Sequence, residues 1–190
     1  MEWPRPGDRL FTFDKDWHNN ACVDSHGSLS SYGSSYKAAA DALVEAVTER
    51  KAFLDEMIGP IVFLYRQYIE LRLKELVFLC RRLERLDTAF PHHHNLSTLW
   101  DEAKRLLDSH YSGTTPPEMH NLDGCIQDFD VHDPQSFAFR YPWDKKGGRS
   151  LQALRHINIR HLHEVMARVG SFLDCISGDL SDRLDARDSS

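Results

Sequence analysis

Pro60-Ile61-Val62-Phe63-Leu64-Tyr65-Arg66-Gln67-Tyr68-Ile69-Glu70-Leu71-Arg72-Leu73-Lys74 and its continuation Glu75-Leu76-Val77-Phe78-Leu79-Cys80-Arg81-Arg82-Leu83-Glu84-Arg85-Leu86 decide the fold. Val62, Tyr65, Ile69, Leu73, Leu76, Cys80 and Leu83 recur at helical spacing and form one apolar stripe. Leu64, Leu71 and Phe78, seven apart, form a second stripe on the opposite side. A helix that is apolar on two sides is either central in a bundle or shared with a partner chain. Arg66 and Arg72 flank the first stripe, so their heads are expected to meet carboxylates. Glu70 lies four residues from both Arg66 and Lys74, which allows pairs along the helix.

Outward from this helix the chain reads as mainly α: an up-and-down bundle of about five helices, with a small β-hairpin before the last helix and an irregular N-terminal arm. Residues 1–34 form the arm, opened by Pro4, Pro6 and Gly7 and closed by a Ser/Gly-rich linker from Ser28 to Ser35. Phe11, Phe13 and Trp17 imply that it packs on the body. The helical domain follows over 35–178. Its first helix is expected from Tyr36 to Met57, broken by Gly59-Pro60, with Pro60 in the first turn of the central helix. The third spans Leu96 to His110 on Leu96, Leu99, Trp100, Ala103, Leu106 and Leu107. The fourth starts at the capping box Thr115-Pro116-Pro117-Glu118 and buries Met119, Leu122, Ile126 and Phe129. Phe137, Phe139 and Tyr141 then alternate with Ala138 and Arg140 as in a strand. Ile157 and Ile159 return as its partner across a Lys146-Gly147-Gly148 turn. The last helix runs from Arg160 to Ile176, Gly178 stops it, and 179–190 is a charged, frayed tail.

Composition narrows the class. Of 190 residues, 41% are hydrophobic, enough for a core, and 27% are charged. A net charge of -6 argues against a general nucleic-acid coat but permits a local basic patch. No apolar run reaches membrane-spanning length and the start lacks a signal-peptide pattern, so the expectation is a cytoplasmic protein without a membrane. Cys22, Cys80, Cys125 and Cys175 are too scattered for a zinc site or disulfide framework, and reduced thiols are expected.

The helix carrying Tyr65-Arg66-Gln67-Tyr68-Ile69-Glu70-Leu71-Arg72-Leu73-Lys74 is followed, after a spacer, by His94-Asn95-Leu96 and Leu99. Later comes Phe139-Arg140-Tyr141-Pro142, ahead of the final helix. In order and spacing these resemble HEPN domains, the higher eukaryote and prokaryote nucleotide-binding helical bundles, over roughly 36–177. The resemblance implies a homodimer in a microbial defence or toxin–antitoxin setting, with RNA or a nucleotide as ligand and a partner protein encoded nearby. It implies binding roles for Arg66, Glu70, Arg72, His94, Arg140 and Tyr141. Active members are metal-independent endoribonucleases with an Arg, a polar residue and a following His. Arg155-His156-Ile157-Asn158-Ile159-Arg160-His161 fits that pattern, which makes Arg155 and His161 the catalytic pair if there is one. Many members are inactive and serve as dimerising or binding partners.

Each of these residues also has a plainer reading. Arg155 and His161 suit surface or packing roles. His94 suits a hydrogen bond at the start of the third helix, and Arg140 an ion pair with Asp128, Asp130 or Asp133. Consecutive side chains of His92-His93-His94 rarely converge on one ion, so no metal is expected, and no motif calls for a cofactor. Arg81, Arg82, Arg85 and Lys74 make a basic face on the central helix, the best sequence candidate for RNA phosphates. The acidic charge and the expected strand at Ile157 to Ile159 weigh against cleavage. The reading is therefore a HEPN-like binding or scaffold protein; the alternatives are an active HEPN ribonuclease and a helical interaction domain with no nucleic-acid role.

Overall fold

The computed structural model describes residues 3–23, 27–89, 91–111 and 118–189, the side chain of Glu118 excepted. Five helices make the body: α1 (Leu29–Thr48), α2 (Leu54–Leu83), α3 (Leu96–His110), α4 (Glu118–His132) and α5 (Ile159–Asp188). α2 is the axis and packs against α1, α3 and α5, while α4 rests on α3. Tyr65, Ile69, Leu73, Leu76 and Cys80 are fully buried along it. The second stripe, Leu64, Leu71 and Phe78, is half-buried; Leu64 and Phe78 pack on the same core within one chain, and Leu71 lies beside Gly33 of α1. Burial pushes the Cys80 thiol up to about 12, so it behaves as a small apolar group. All four cysteines are free. No described helix is long and apolar enough to cross a membrane.

The helix boundaries differ from the sequence expectation, each for a local reason. α1 begins at Leu29, so the expected boundary at residue 35 falls inside it. Ser28 caps it by accepting from Ser31 N at 3.1 Å, and the serines that read as linker lie within its first turns. Gly33 lets α1 approach α2 closely there: a Cβ would lie 3.3 Å from Arg72 Cδ, a tight contact. α1 ends at Thr48, well before Gly59-Pro60. Lys51 N donates to Ala46 O at 2.8 Å and Arg50 N to Val47 O at 3.0 Å, a Schellman turn with Arg50 at φ 61°. α2 ends the same way. Leu86 N donates to Arg81 O at 2.9 Å and Arg85 takes φ 57°. Arginine occupies the left-handed position that usually goes to glycine, which hides both stops. Pro60 sits inside α2 rather than in its first turn and removes one ladder hydrogen bond.

The expected hairpin is absent: the described residues contain no strand, only a single antiparallel bridge between Trp143 and Arg149. Phe137 to Tyr141 is a helical turn instead. Asp133 Oδ1 accepts from Phe137 N at 2.5 Å and Ala138 N at 2.7 Å, and Tyr141 N donates to Phe137 O. That carboxylate offers the backbone a local partner before a ladder can form. Ile157 precedes α5 and Ile159 opens it, with Asn158 Oδ1 capping through His161 N at 3.0 Å. The capping box at Thr115-Pro116-Pro117 lies outside the described residues, but Met119, Leu122, Ile126 and Phe129 are buried as expected.

α5 runs through Gly178 to Asp188, so the tail is not frayed. Leu180 and Leu184 are buried at 0% and 3% exposure, which outweighs the roughly 1 kcal/mol helix cost of one glycine. Arg187 then donates to Arg82 O at 2.8 Å and Leu83 O at 3.3 Å, capping the end of α2. The arm departs from expectation in the other direction. Leu10, Phe11, Phe13 and Trp17 are 92, 96, 74 and 63% exposed, so its apolar side chains are not covered by the body.

Candidate functional site

The charged residues that α2 carries into its apolar face meet partners inside the bundle. Arg66, 0% exposed, binds Glu70 Oε2 at 3.1 Å, His94 O at 2.8 Å and Asp133 O at 3.3 Å, with Asp133 Oδ2 3.6 Å from its Nε. Glu70 Oε1 takes Lys74 Nζ at 3.0 Å and His94 Nδ1 at 2.8 Å. Burial pushes the Glu70 carboxyl up, but hydrogen bonds from Lys74 and His94 outweigh it and hold it below the ordinary value. His94 stands at the lip, with its side chain 61% exposed. Asn95, beside it, caps α3 through Thr98 N at 2.7 Å. This network ties α2 to the start of α3 and to the end of α4.

Arg72 serves a separate junction. Its Nη1 donates to Glu75 Oε2 at 2.6 Å and Ser30 Oγ at 2.8 Å, and its Nη2 pairs with Asp174 Oδ1 at 2.7 Å. It thereby clamps α1 and α5 to α2. Glu75 accepts from Ser177 Oγ at 3.1 Å; burial raises its carboxyl against the pull of Arg72. Arg66, Glu70 and Arg72 thus spend their hydrogen bonds on the protein itself.

The remaining candidates face outward. Arg140, Tyr141, Arg155 and His156 line one groove of about 490 Å3, walled on its other side by Asp55 and Glu56 of α2. Arg140 Nε donates to Ser136 O at 2.5 Å, and its guanidinium lies 5.4 Å from the Tyr141 ring and 5.6 Å from the Phe63 ring. Its expected carboxylate partners are not used: Asp133 is taken up by Arg66 and backbone N–H groups. His161, exposed in the first turn of α5, lines an adjoining hollow of about 330 Å3 with Asp128 and His132 of α4. His156 borders both. Arg155 and His161 therefore do not share a hollow within one chain. Among the described residues no group of His, Cys, Asp and Glu could hold a metal ion.

No protein-family model, curated protein or solved structure matches this chain.

Three of the four cations of the basic face expected on α2 are engaged with carboxylates, and Arg85 is exposed. Lys74 is buried on Glu70, Arg81 pairs with Glu102 at 2.5 Å, and Arg82 with Asp188 at 3.0 Å. A cluster of exposed cations lies on the segment between α4 and α5. Arg140, Lys145, Lys146, Arg149 and Arg155 stand there, with Arg160 in the first turn of α5, against Asp144 and the buried Asp133, inside a chain of net charge -6. All six are exposed and none forms an ion pair with a described residue. Sequence reasoning missed Lys145, Lys146, Arg149 and Arg160. A running count of charge along the chain would have found them.

Proposed function

We propose that this protein is a HEPN-like binding or scaffold protein that holds RNA on the exposed segment between α4 and α5. The observation that carries the reading is the charge of that segment: five solvent-facing cations, with a sixth in the first turn of α5, against Asp144 and the buried Asp133, on an otherwise acidic protein. Phosphates are neutralised by such a patch, while the acidic remainder limits binding elsewhere. Tyr141 beside Arg140 adds an aromatic face on which an unpaired base stacks. The resemblance supplies the rest of the proposal: a homodimer, a partner protein encoded nearby, and a microbial defence or toxin–antitoxin setting.

The test is fluorescence anisotropy of a labelled single-stranded RNA. Wild type binds with an affinity that falls as salt rises, by about 0.7 in log K per log salt for each phosphate engaged. R140A/R155A weakens it while the helical circular dichroism is kept. Wild-type protein that binds no RNA at low salt overturns the reading.

A second reading, a metal-independent endoribonuclease, gains from one observation. Residues 157–159 are not a strand, and the Asn158 cap puts His161 in the first turn of α5, with Arg155 just ahead of it. In that reading Arg155 stabilises the phosphate in the transition state and His161 moves the proton. Cleavage in EDTA that is lost in H161A selects it.

A further inference from the structure

Residues 13–20 of the arm are folded on themselves although the body leaves them uncovered. Asn20 Oδ1 accepts from Asp14 N at 3.0 Å, and Asn20 Nδ2 donates to Asp14 O at 2.6 Å and Asp16 O at 3.2 Å. Asp14 Oδ1 accepts from Asp16 N at 2.9 Å, and Trp17–Asn19 make a single 3-10 turn. This closed loop sets Phe13 edge-on to Trp17, with ring centroids 5.9 Å apart and both side chains exposed. Leu10 and Phe11 extend the same apolar run. A knob whose shape is fixed by its own hydrogen bonds loses little freedom on binding, and a contiguous exposed apolar patch marks an interaction site.

The body carries a matching recess. α4 rests on α3, and a furrow stays open between α4 and α5. Two adjoining hollows of about 330 and 440 Å3 lie in it and share Cys125 and Val165. Cys125 of α4 and Leu162, Val165 and Phe172 of α5 are half-buried in its floor, apolar side chains packed on the core on one side only. Asp128 on the α4 wall and Arg168 on the α5 wall are exposed. The knob carries both signs as well, Lys15 between Asp14 and Asp16. No described arm residue lines the furrow within one chain.

Area decides the occupant. An aromatic side chain buries about 150–250 Å2. Phe13 and Trp17 in one furrow therefore remove about 600–1,000 Å2 from water, counting both surfaces, short of the roughly 1,200–2,000 Å2 of a stable interface. Two such joints reach it. A second copy of this chain supplies both at once, because a two-fold axis makes each arm-to-furrow contact occur twice.

We propose that the protein is an arm-exchanged dimer, in which the Phe13–Trp17 knob of each copy fills the α4–α5 furrow of the other. Lys15 faces Asp128 there, and the flanking aspartates face Arg168. The inference rests on the homodimer of the reading above, gives it an interface, and is independent of RNA binding. Leu64 and Phe78 of α2 are taken up by the chain's own core and do not hold the two copies together.

Sedimentation velocity of the full chain at micromolar concentration is the test. Wild type sediments as a dimer. F13A/W17A sediments as a monomer with an unchanged melting temperature, because the body covers neither ring. V165E, which puts a charge on the furrow floor, is monomeric as well, and the exposed-wall variant R168E shifts the mixture toward monomer. A wild-type dimer that F13A/W17A or R168E leaves intact overturns this inference and leaves the dimer standing. A wild-type monomer overturns both, and a melting temperature lowered by F13A/W17A in that monomer places the knob in its own chain's furrow.

Discussion

Removing the charge of Glu70 gives the sharpest test of the bundle's interior. Its carboxylate is 3% exposed and serves three donors, Arg66 at 3.1 Å, Lys74 at 3.0 Å and His94 at 2.8 Å. Without that charge Arg66, wholly buried, keeps only the carbonyls of His94 and Asp133 and the carboxylate of Asp133 at 3.6 Å. Breaking a buried charge network by removing one partner costs about 3–5 kcal/mol, a large share of the roughly 5–15 kcal/mol that holds a domain together. E70A at pH 7 should therefore lower the urea midpoint by about 1.5–2.5 M if m is near 2 kcal/mol/M. E70Q keeps an acceptor and should fall between wild type and E70A. The pH dependence has a definite sign. The folded carboxyl is held below its ordinary value, so its contribution is present above the unfolded pKa of about 4.3 and lost as pH falls through the folded one. The acid limb of wild-type stability should be steeper than that of E70Q. Urea curves at 222 nm that place E70A within 0.5 kcal/mol of wild type, a value below the cost of any buried unpaired charge, would refute the reasoning.

Three further outcomes are expected. Arg50→Gly and Arg85→Gly relieve left-handed backbone at two exposed helix ends, and each should raise stability by about 1 kcal/mol in chemical denaturation. Leu184→Ala should cost about 2–5 kcal/mol, because the last turns of α5 are part of the core; a melt unchanged by it would restore a frayed tail. Wild-type protein incubated with single-stranded RNA in EDTA should show little cleavage, since Arg155 and His161 line separate hollows; robust cleavage abolished in H161A would promote the enzyme.

The two Schellman turns show why the helix ends were hard to read. Propensity places glycine at the left-handed position, and here arginine stands there at a cost of about 1–2 kcal/mol. The same competition removed the hairpin. Phe137, Phe139 and Tyr141 alternate like a strand, but Asp133, a residue outside the pattern, captures the N–H groups of Phe137 and Ala138. The candidate site was legible in part. Arg140, Tyr141 and Arg155 stood out in the sequence and line one groove, whereas Lys145 and Lys146 read only as turn residues.

Periodicity alone determined the helical class, the central place of α2 and the buried faces of α3 and α4, because a stripe at helical spacing has one low-energy way to leave water. Four charges near that stripe were visible too. Only the tertiary structure decided which other elements they reach. Arg66 and Arg72 lie six residues apart on one helix, yet they reach different elements, Asp133 and His94 for the first and Ser30 and Asp174 for the second. A burial pattern is a property of one segment. The pairs of Glu70 with Arg66 and Lys74 follow from a spacing of four, but the partners that Arg66 and Arg72 find in other elements lie far along the chain, and no local spacing encodes them.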